Sequence, residues 1–230
     1  MTAPPVGEGG AMTEALWRAA KGAAPLLILL GPRAGERKLR LLAAAFCRRV
    51  WHLTTPAERA AVRAAELYAD GNLRPGPFRH RTRLCSGSAL VAGALWGAGP
   101  RSRPGEHAAQ VRRTATACAL RAAEPGAAGH PRRPWKTRVE RAVQAALVRD
   151  VFGDLFLTAA DRGERAAWAG GLVLRFAQAV YAERAFDRLP ILADALEDAG
   201  CTDTTLLDHC RSGGEHARGC WAVDLILGKS

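Results

Sequence analysis

The sequence has few aromatic residues, few signs of β-strands and no long hydrophobic run. Only 6% of its 230 residues are Phe, Trp or Tyr, and no short stretch alternates β-branched with polar side chains. These absences disfavour β-sandwiches and β-barrels. The most hydrophobic run, APLLILLG at 24–31, is far shorter than the roughly 20 residues that a membrane-spanning helix needs. We therefore expect no membrane span.

Motifs of the common enzyme classes are also absent. The chain has no Gly-rich phosphate loop, no HExxH and no GxSxG. Its six cysteines include no CxxC pair and lack the spacing of a disulfide framework, which favours a reducing, cytoplasmic setting. The sequence does not define a molecular function. We expect a non-enzymatic helical interaction or regulatory module with a protein partner.

The residues that are abundant are those of a helical protein. Apolar residues make up 48% of the chain, and frequent alanine favours closely packed helices. We predict an all-α fold, an irregular helical bundle with a disordered basic insert. The predicted segments are a disordered tail at 1–11, an N-terminal helical segment at 12–71, an Arg/Pro/Gly-rich insert of low order at 72–137 and a C-terminal helical domain at 138–230. Met12 is an alternative start to Met1.

Capping residues and apolar stripes mark several helices. Thr55, Pro56 and Glu58 form a capping box with a first-turn proline, and Gly71 is the matching stop signal. Asp203 is expected to cap a short helix near the C-terminus, and 162–184 have a long helical pattern. Two stripes are expected to face a core: Leu39, Leu42, Phe46, Val50 and Leu53, and then Val139, Val143, Ala146 and Leu147. Six side chains are expected to be buried in one core of the C-terminal helices: Leu192, Leu196, Leu206, Trp221, Leu225 and Leu227.

The positive charge of the chain is concentrated in the insert. Residues 72–138 contain thirteen Arg or Lys and two Glu, whereas the rest of the chain has twenty basic and twenty acidic residues. Such a block is typical either of a flexible linker or of an arm that binds nucleic acid. Within it, 73–107 hold four prolines and six glycines, which oppose regular structure. We predict no consistent helix there and little buried apolar surface.

The segments on either side of the insert resemble a bacterial family. RKLRLLAAAFCRRVWHL, RAFDRLPILADALEDAGC and HARGCWAVDLILGK are similar to the hallmarks KLRLFACACCRRIWHL, RAFDRLPILADALEDAGC and HVRGCWVVDLLLGK of an uncharacterised, paralogue-rich family. The resemblance covers roughly 12–71 and 139–229 and implies no activity. The family's run of cysteines is reduced here to Cys47, which puts any shared metal role of those cysteines in doubt.

The insert is where the chain departs from that family, whose middle region resembles an alanine-rich helix. In a GC-rich gene, alanine codons shifted by one base become Arg or Pro codons. The insert therefore has the composition of a segment translated in the wrong frame, which is one hypothesis beside the linker and the nucleic-acid arm. On any of these three interpretations, removal of 73–135 is expected to leave the melting temperature of the remainder nearly unchanged.

The C-terminal region holds the candidate metal ligands. Zinc takes four nitrogen or sulfur ligands in a tetrahedron, and five candidates lie within twenty residues: Cys201, His209, Cys210, His216 and Cys220. We interpret the cysteines first as small apolar core residues. A small zinc-stabilised helical domain that contacts protein or nucleic acid is the first alternative. An enzyme with Cys210 or Cys220 as nucleophile and a histidine as base is a second alternative. An acidic set is expected to be a solvated helix face: Asp187, Asp194, Glu197, Asp198 and Asp203.

Overall fold

A computed structural model describes residues 13–85, 88–95, 106–122, 134–157, 168 and 170–229. These residues form twelve α-helices and no β-strand, which confirms the all-α prediction. The helices are α1 (Glu14–Ala19), α2 (Ala23–Leu30), α3 (Glu36–Arg49), α4 (Pro56–Ala69), α5 (Pro75–Thr82), α6 (Ala92–Leu95), α7 (Glu106–Ala122), α8 (Pro134–Phe152), α9 (Gly171–Glu183), α10 (Leu189–Asp198), α11 (Thr204–Arg211) and α12 (Trp221–Ile226). None of these helices is long and apolar enough to cross a membrane. The predicted tail at 1–11, Met12 and most of 162–170 lie outside the described residues.

Helix α3 lies at the centre of the first of two hydrophobic cores. It packs against α4, α6, α7 and α8, and α2 packs against α7 and α8. Leu53 of the predicted stripe is 36% exposed, because α3 has already ended and the chain continues as a 3-10 turn. The other four members are at most 3% exposed: Leu39, Leu42, Phe46 and Val50.

The predicted caps are confirmed. The backbone N–H of Glu58 donates to Thr55 Oγ1 at 3.2 Å, and the backbone N–H of Thr55 donates to Glu58 Oε2 at 2.9 Å. Gly71 follows α4 with a φ of +75°, a left-handed conformation that glycine adopts without steric cost. At α11, the backbone N–H of Leu206 donates to Asp203 Oδ1 at 3.1 Å.

The prediction that 73–107 contain no regular structure is wrong for α5 and α6. Pro75 lies in the first turn of α5, where its missing N–H costs nothing and its fixed φ suits the helix. Phe78 is fully buried and stacks on Tyr68, with ring centroids 4.4 Å apart. Residues 86–87 and 96–105 lie outside the described residues. The prolines therefore begin a helix that tertiary packing stabilises.

Helix α7, also inside the predicted insert, packs in the first core. Val111, Thr114 and Cys118 are fully buried, and the Thr114 hydroxyl accepts a hydrogen bond from the Gly93 backbone N–H at 2.9 Å. A Cβ atom on Gly93 would lie 2.8 Å from Val111 Cα, so α6 approaches α7 as closely as glycine allows. The prediction of low order is therefore wrong for residues 106–122. This packing weighs against the hypothesis that the insert is translated in the wrong frame. That hypothesis and the domain boundaries both stay predictions.

The second core is formed by α9 to α12. Four of its predicted members are at most 4% exposed: Leu192, Leu196, Leu206 and Trp221. Leu225 and Leu227 are only partly buried, at the edge of this core. Helix α8, which the sequence groups with these helices, contributes mainly to the first core. Two members of its predicted stripe lie off the buried face, because Val139 is 52% exposed and Ala146 is also exposed.

A network of ion pairs connects the two cores. The Arg37 guanidinium on α3 donates to Asp224 of α12 at 2.6 Å and to Asp70 at 3.0 Å. The Tyr181 hydroxyl of α9 also donates to Asp70, at 2.7 Å. Both carboxylates are nearly inaccessible to solvent, with side chains 1–2% exposed. Because removing one partner from such a buried pair leaves an uncompensated charge, this network fixes how α3, α4, α9 and α12 meet.

Candidate metal centre

Four potential metal ligands meet where the two cores join: Asp150, His209, His216 and Cys220. Asp150 lies in the last turn of α8, and His209 lies in α11. His216 lies in the loop that leads to α12, and Cys220 is the N-cap residue of that helix. Within the described ranges, no other group of three His, Cys, Asp or Glu side chains is close enough to hold one ion.

Backbone hydrogen bonds fix the loop that carries His216 and Cys220. The Ala217 N–H donates to Asp150 Oδ2 at 3.0 Å, and the Cys220 N–H donates to the Ala217 carbonyl at 2.9 Å. Gly219, with a φ of +93°, allows the turn between them. Asp150 therefore holds the loop through one carboxylate oxygen while its other oxygen faces the histidines.

The ligand atoms are already in contact with one another. Asp150 Oδ1 lies 2.7 Å from His216 Nδ1 and 3.3 Å from His209 Nε2. His209 Nε2 lies 3.2 Å from Cys220 Sγ. Taking one atom from each residue, all four lie within 4.8 Å of one another. To bind zinc, the nitrogen and oxygen atoms would have to lie about 2.0–2.2 Å and the sulfur about 2.3 Å from one point.

Burial and charge set the protonation of the group. Burial acts to raise the pKa of Asp150, but hydrogen bonds to His209 and His216 outweigh burial and hold this pKa below its usual value. Burial acts to lower the pKa of His216, but the hydrogen bond and charge of Asp150 raise it. Burial, followed by the charge of Asp150, raises the pKa of the Cys220 thiol well above its usual range. Without an ion, Asp150 is the negative centre around which the other three groups arrange.

The residue types and burial fit zinc in a closed site. One carboxylate, two imidazoles and one thiol supply four ligands, the number that structural zinc sites use. The side chains of Asp150 and His216 are 3% and 6% exposed, and Cys220 is fully buried. A divalent ion would also drive the Cys220 proton off the sulfur, since a metal-bound thiol is deprotonated. The site is therefore suited to hold an ion rather than to present it to a substrate.

The structure brings together three of the five ligands predicted from sequence. Cys201 and Cys210 are excluded from the group and lie in the second core. Burial, followed by the proximity of Cys201, raises the pKa of Cys210 to about 12, as for an inert core thiol. Asp150 was not predicted. The available signal was its position on the buried stripe of α8, three residues after Leu147, where a lone carboxylate is unusual.

The same atoms do not form a nucleophile–base pair of the usual kind. A catalytic imidazole uses one nitrogen for the nucleophile and the other for the orienting carboxylate. Here Cys220 and Asp150 both face His209 Nε2. Reactive cysteines are thiolates near neutral pH, whereas the pKa of Cys220 is raised by burial.

In the acidic set, Asp194 and Glu197 pair with Arg211 and Asp203 caps α11, as expected for a solvated face.

Comparison of the chain with models of protein families, with curated proteins and with solved structures finds no match. The resemblance to the paralogue-rich bacterial family therefore stays a prediction from the quoted motifs. What the protein does has to be inferred from the site itself.

Proposed function

We propose that the protein is a zinc-stabilised helical module that acts by binding another macromolecule. One observation carries the proposal: four ligand atoms of the types that zinc prefers lie within 4.8 Å of one another in a buried site. Asp150 lies on α8 between Val148 and Val151 of the first core, whereas Cys220 belongs to the second core. An ion bound there would connect the two cores directly.

A stabilising ion is favoured over a catalytic one by how the ligands are enclosed. Catalytic zinc keeps an open position for water or substrate, whereas structural zinc is coordinated by four protein ligands. All four residues here supply a ligand, and none is more than 17% exposed. All six cysteines are buried thiols, which supports the proposal of a reducing compartment such as the cytoplasm.

Zinc content and thermal stability test the proposal. The protein reconstituted with zinc should hold about one ion per chain, and a chelator should lower its melting temperature by roughly 5–10 °C, because an ion present at 100 times its Kd contributes about 2.7 kcal/mol. Cys220→Ser should lose the bound zinc and the chelator effect. Elemental analysis and thermal denaturation provide the readouts.

Cys210→Ser is the matched control. Cys210 is also a fully buried cysteine of the second core, but it lies outside the ligand group. This variant should keep both the zinc and the chelator effect, even where it lowers the melting temperature by itself. Equal zinc content in both variants, or none in the wild type after reconstitution, would contradict the proposal.

Nucleic acid is the partner class that one surface feature favours. A groove of about 700 Å³ lies between the α1–α2 connection and α8, and five of its lining side chains are basic: Arg18, Lys21, Arg138, Arg141 and Arg149. Among the lining residues that the structure describes, none is acidic. Such a surface attracts phosphate backbones through counterion release and without sequence readout. The basic insert contributes to this groove through its last residue, Thr137.

The salt dependence of DNA binding tests this second candidate. The wild type should bind duplex DNA with a negative slope of log K against log salt, and Arg138→Gln with Arg141→Gln should reduce the magnitude of that slope by about two. The control is Arg175→Gln with Arg188→Gln, which removes the same charge from the exposed surface over the second core. Equal slopes for the two double variants would mean that net charge, not the groove, attracts DNA.

A further inference from the structure

A second cavity lies between the two cores and is separate from the basic groove. Its volume is about 250 Å³, and Glu66, Glu215 and His216 line part of its wall. Its most prominent lining side chains are four arginines: Arg48, Arg49, Arg184 and Arg218. Apolar side chains complete it, among them Leu147 of α8 and Phe186. A small, half-enclosed space with convergent polar groups and an apolar wall is the usual form of a ligand site.

The charged residues that line the cavity include four arginines but only two glutamates, Glu66 and Glu215. Arg48 and Arg184 share one partner, Glu66, to which Arg48 donates at 2.6 and 2.7 Å. Arg218 donates to backbone carbonyl groups of α9, and its Nη1 lies 4.0 Å from Asp70 Oδ2 outside the cavity lining. Burial, opposed by Glu66 and reinforced by the charges of Arg48 and Arg218, lowers the pKa of Arg184. The cavity is therefore an environment of positive potential that favours an anion.

Arg49 also lines this wall, and its Nε atom lacks a hydrogen-bond partner among the described residues. Its guanidinium bonds Glu215 and, at 3.3 Å, Glu140. Its Nε is buried and has no hydrogen-bond acceptor in the described part of the chain. A buried donor without a partner costs about 1–3 kcal/mol, so the guanidinium of Arg49 is held in this wall with one of its polar atoms unsatisfied.

Arg184 occupies an unfavourable backbone conformation. Its φ of 59° and ψ of 30° are left-handed, and it is the one non-glycine residue with positive φ in the described ranges. This position at the end of a helix is commonly glycine, because a side chain there is strained. Arginine is tolerated at this helix end, and its guanidinium lies in the cavity wall. The backbone strain at Arg184 is consistent with a role for its side chain in the cavity wall.

We propose that this cavity binds a small organic anion, a carboxylate or phosphate monoester that carries a short apolar group. The anionic oxygens would accept hydrogen bonds from Arg49, Arg184 and the neighbouring guanidinium groups, since arginine is suited to both headgroups. The apolar part would lie against Leu147 and Phe186. The inference does not depend on the metal, because guanidinium groups supply the contacts.

Calorimetric titration of the full chain tests the site, with phenyl phosphate and benzoate as probes and phenol as the neutral match. The wild type should bind at least one of the two anions at a single saturable site and should not bind phenol. Arg184→Gly should weaken anion binding by about tenfold or more. It should change the melting temperature little, because Arg48 still pairs with Glu66 and glycine relieves the left-handed strain.

Arg188→Gln is the control with the same change in charge. Arg188 lies four residues further on, is 51% exposed and pairs with Glu183 outside the cavity. Anion binding by this variant should match that of the wild type. The proposal is overturned if neither anion binds saturably, or if Arg184→Gly and Arg188→Gln weaken binding equally.

Discussion

Deletion of 73–135, with the ends joined by a flexible linker, should abolish the cooperative unfolding transition. The deletion removes α5, α6 and α7 and the start of α8, and α7 packs against α2, α3, α6 and α8. The fully buried side chains lost include Phe78, Val91 and Val111. Without them, apolar faces of α3 and α4 are exposed to water at a cost of about 25 cal/mol per Å², whereas a typical domain is stabilised by only about 5–15 kcal/mol. Thermal denaturation followed by circular dichroism gives the readout.

A pair of point variants separates packing from chain length. Phe78→Ala should lower the free energy of unfolding by about 3–5 kcal/mol, whereas His80→Ala on the exposed side of α5 should change it by less than about 0.5 kcal/mol. Both changes fall in the segment that the sequence predicts to be of low order. A deletion variant with a wild-type melting temperature, or equal effects of the two substitutions, would instead support the prediction that the insert is of low order.

What the sequence predicted well was local. The capping box of Thr55 and Glu58, the stop at Gly71 and the cap at Asp203 each depend on residues within one helical turn. The helical stripe of α3 depends only on a spacing within a single helix. These elements could be predicted because their hydrogen bonds and periodicity are properties of a short segment.

What the sequence did not predict depends on distant partners. Phe78 is buried by Tyr68 of the preceding helix, and Gly93 is required because Val111 approaches it. Composition gives no signal of either contact, so four prolines and six glycines suggested low order. Tertiary packing routinely overrides such local preferences.

The candidate site divides in the same way. His209, His216 and Cys220 are close in sequence and were predicted as a group, although nothing local excluded Cys201 and Cys210. Asp150 lies 66 residues before His216, and only the meeting of α8 with the loop before α12 brings them together. Sequence spacing therefore identified the ligand types but not the complete ligand set.

Trp221→Ala should lower the free energy of unfolding by about 3–5 kcal/mol, the cost of replacing a buried aromatic residue by alanine. The Trp221 side chain is 4% exposed and lies where α12 meets the end of α8. Its ring centroid is 4.9 Å from that of the candidate ligand His209. The substitution should therefore weaken zinc binding as well as the second core. Chemical denaturation with and without zinc measures both effects.

Gly153 gives this prediction a sharper test. A Cβ atom on Gly153 would lie 2.4 Å from Trp221 Cδ1, and the indole is too rigid to move aside. Gly153→Ala should therefore destabilise the wild type by about 1–3 kcal/mol, as overpacking does. In the Trp221→Ala background the same change should cost little, because the methyl group enters the space that the indole has left. A double-mutant cycle isolates this coupling. Additive effects would mean that Trp221 does not pack against Gly153 and that the junction of the two cores is built differently.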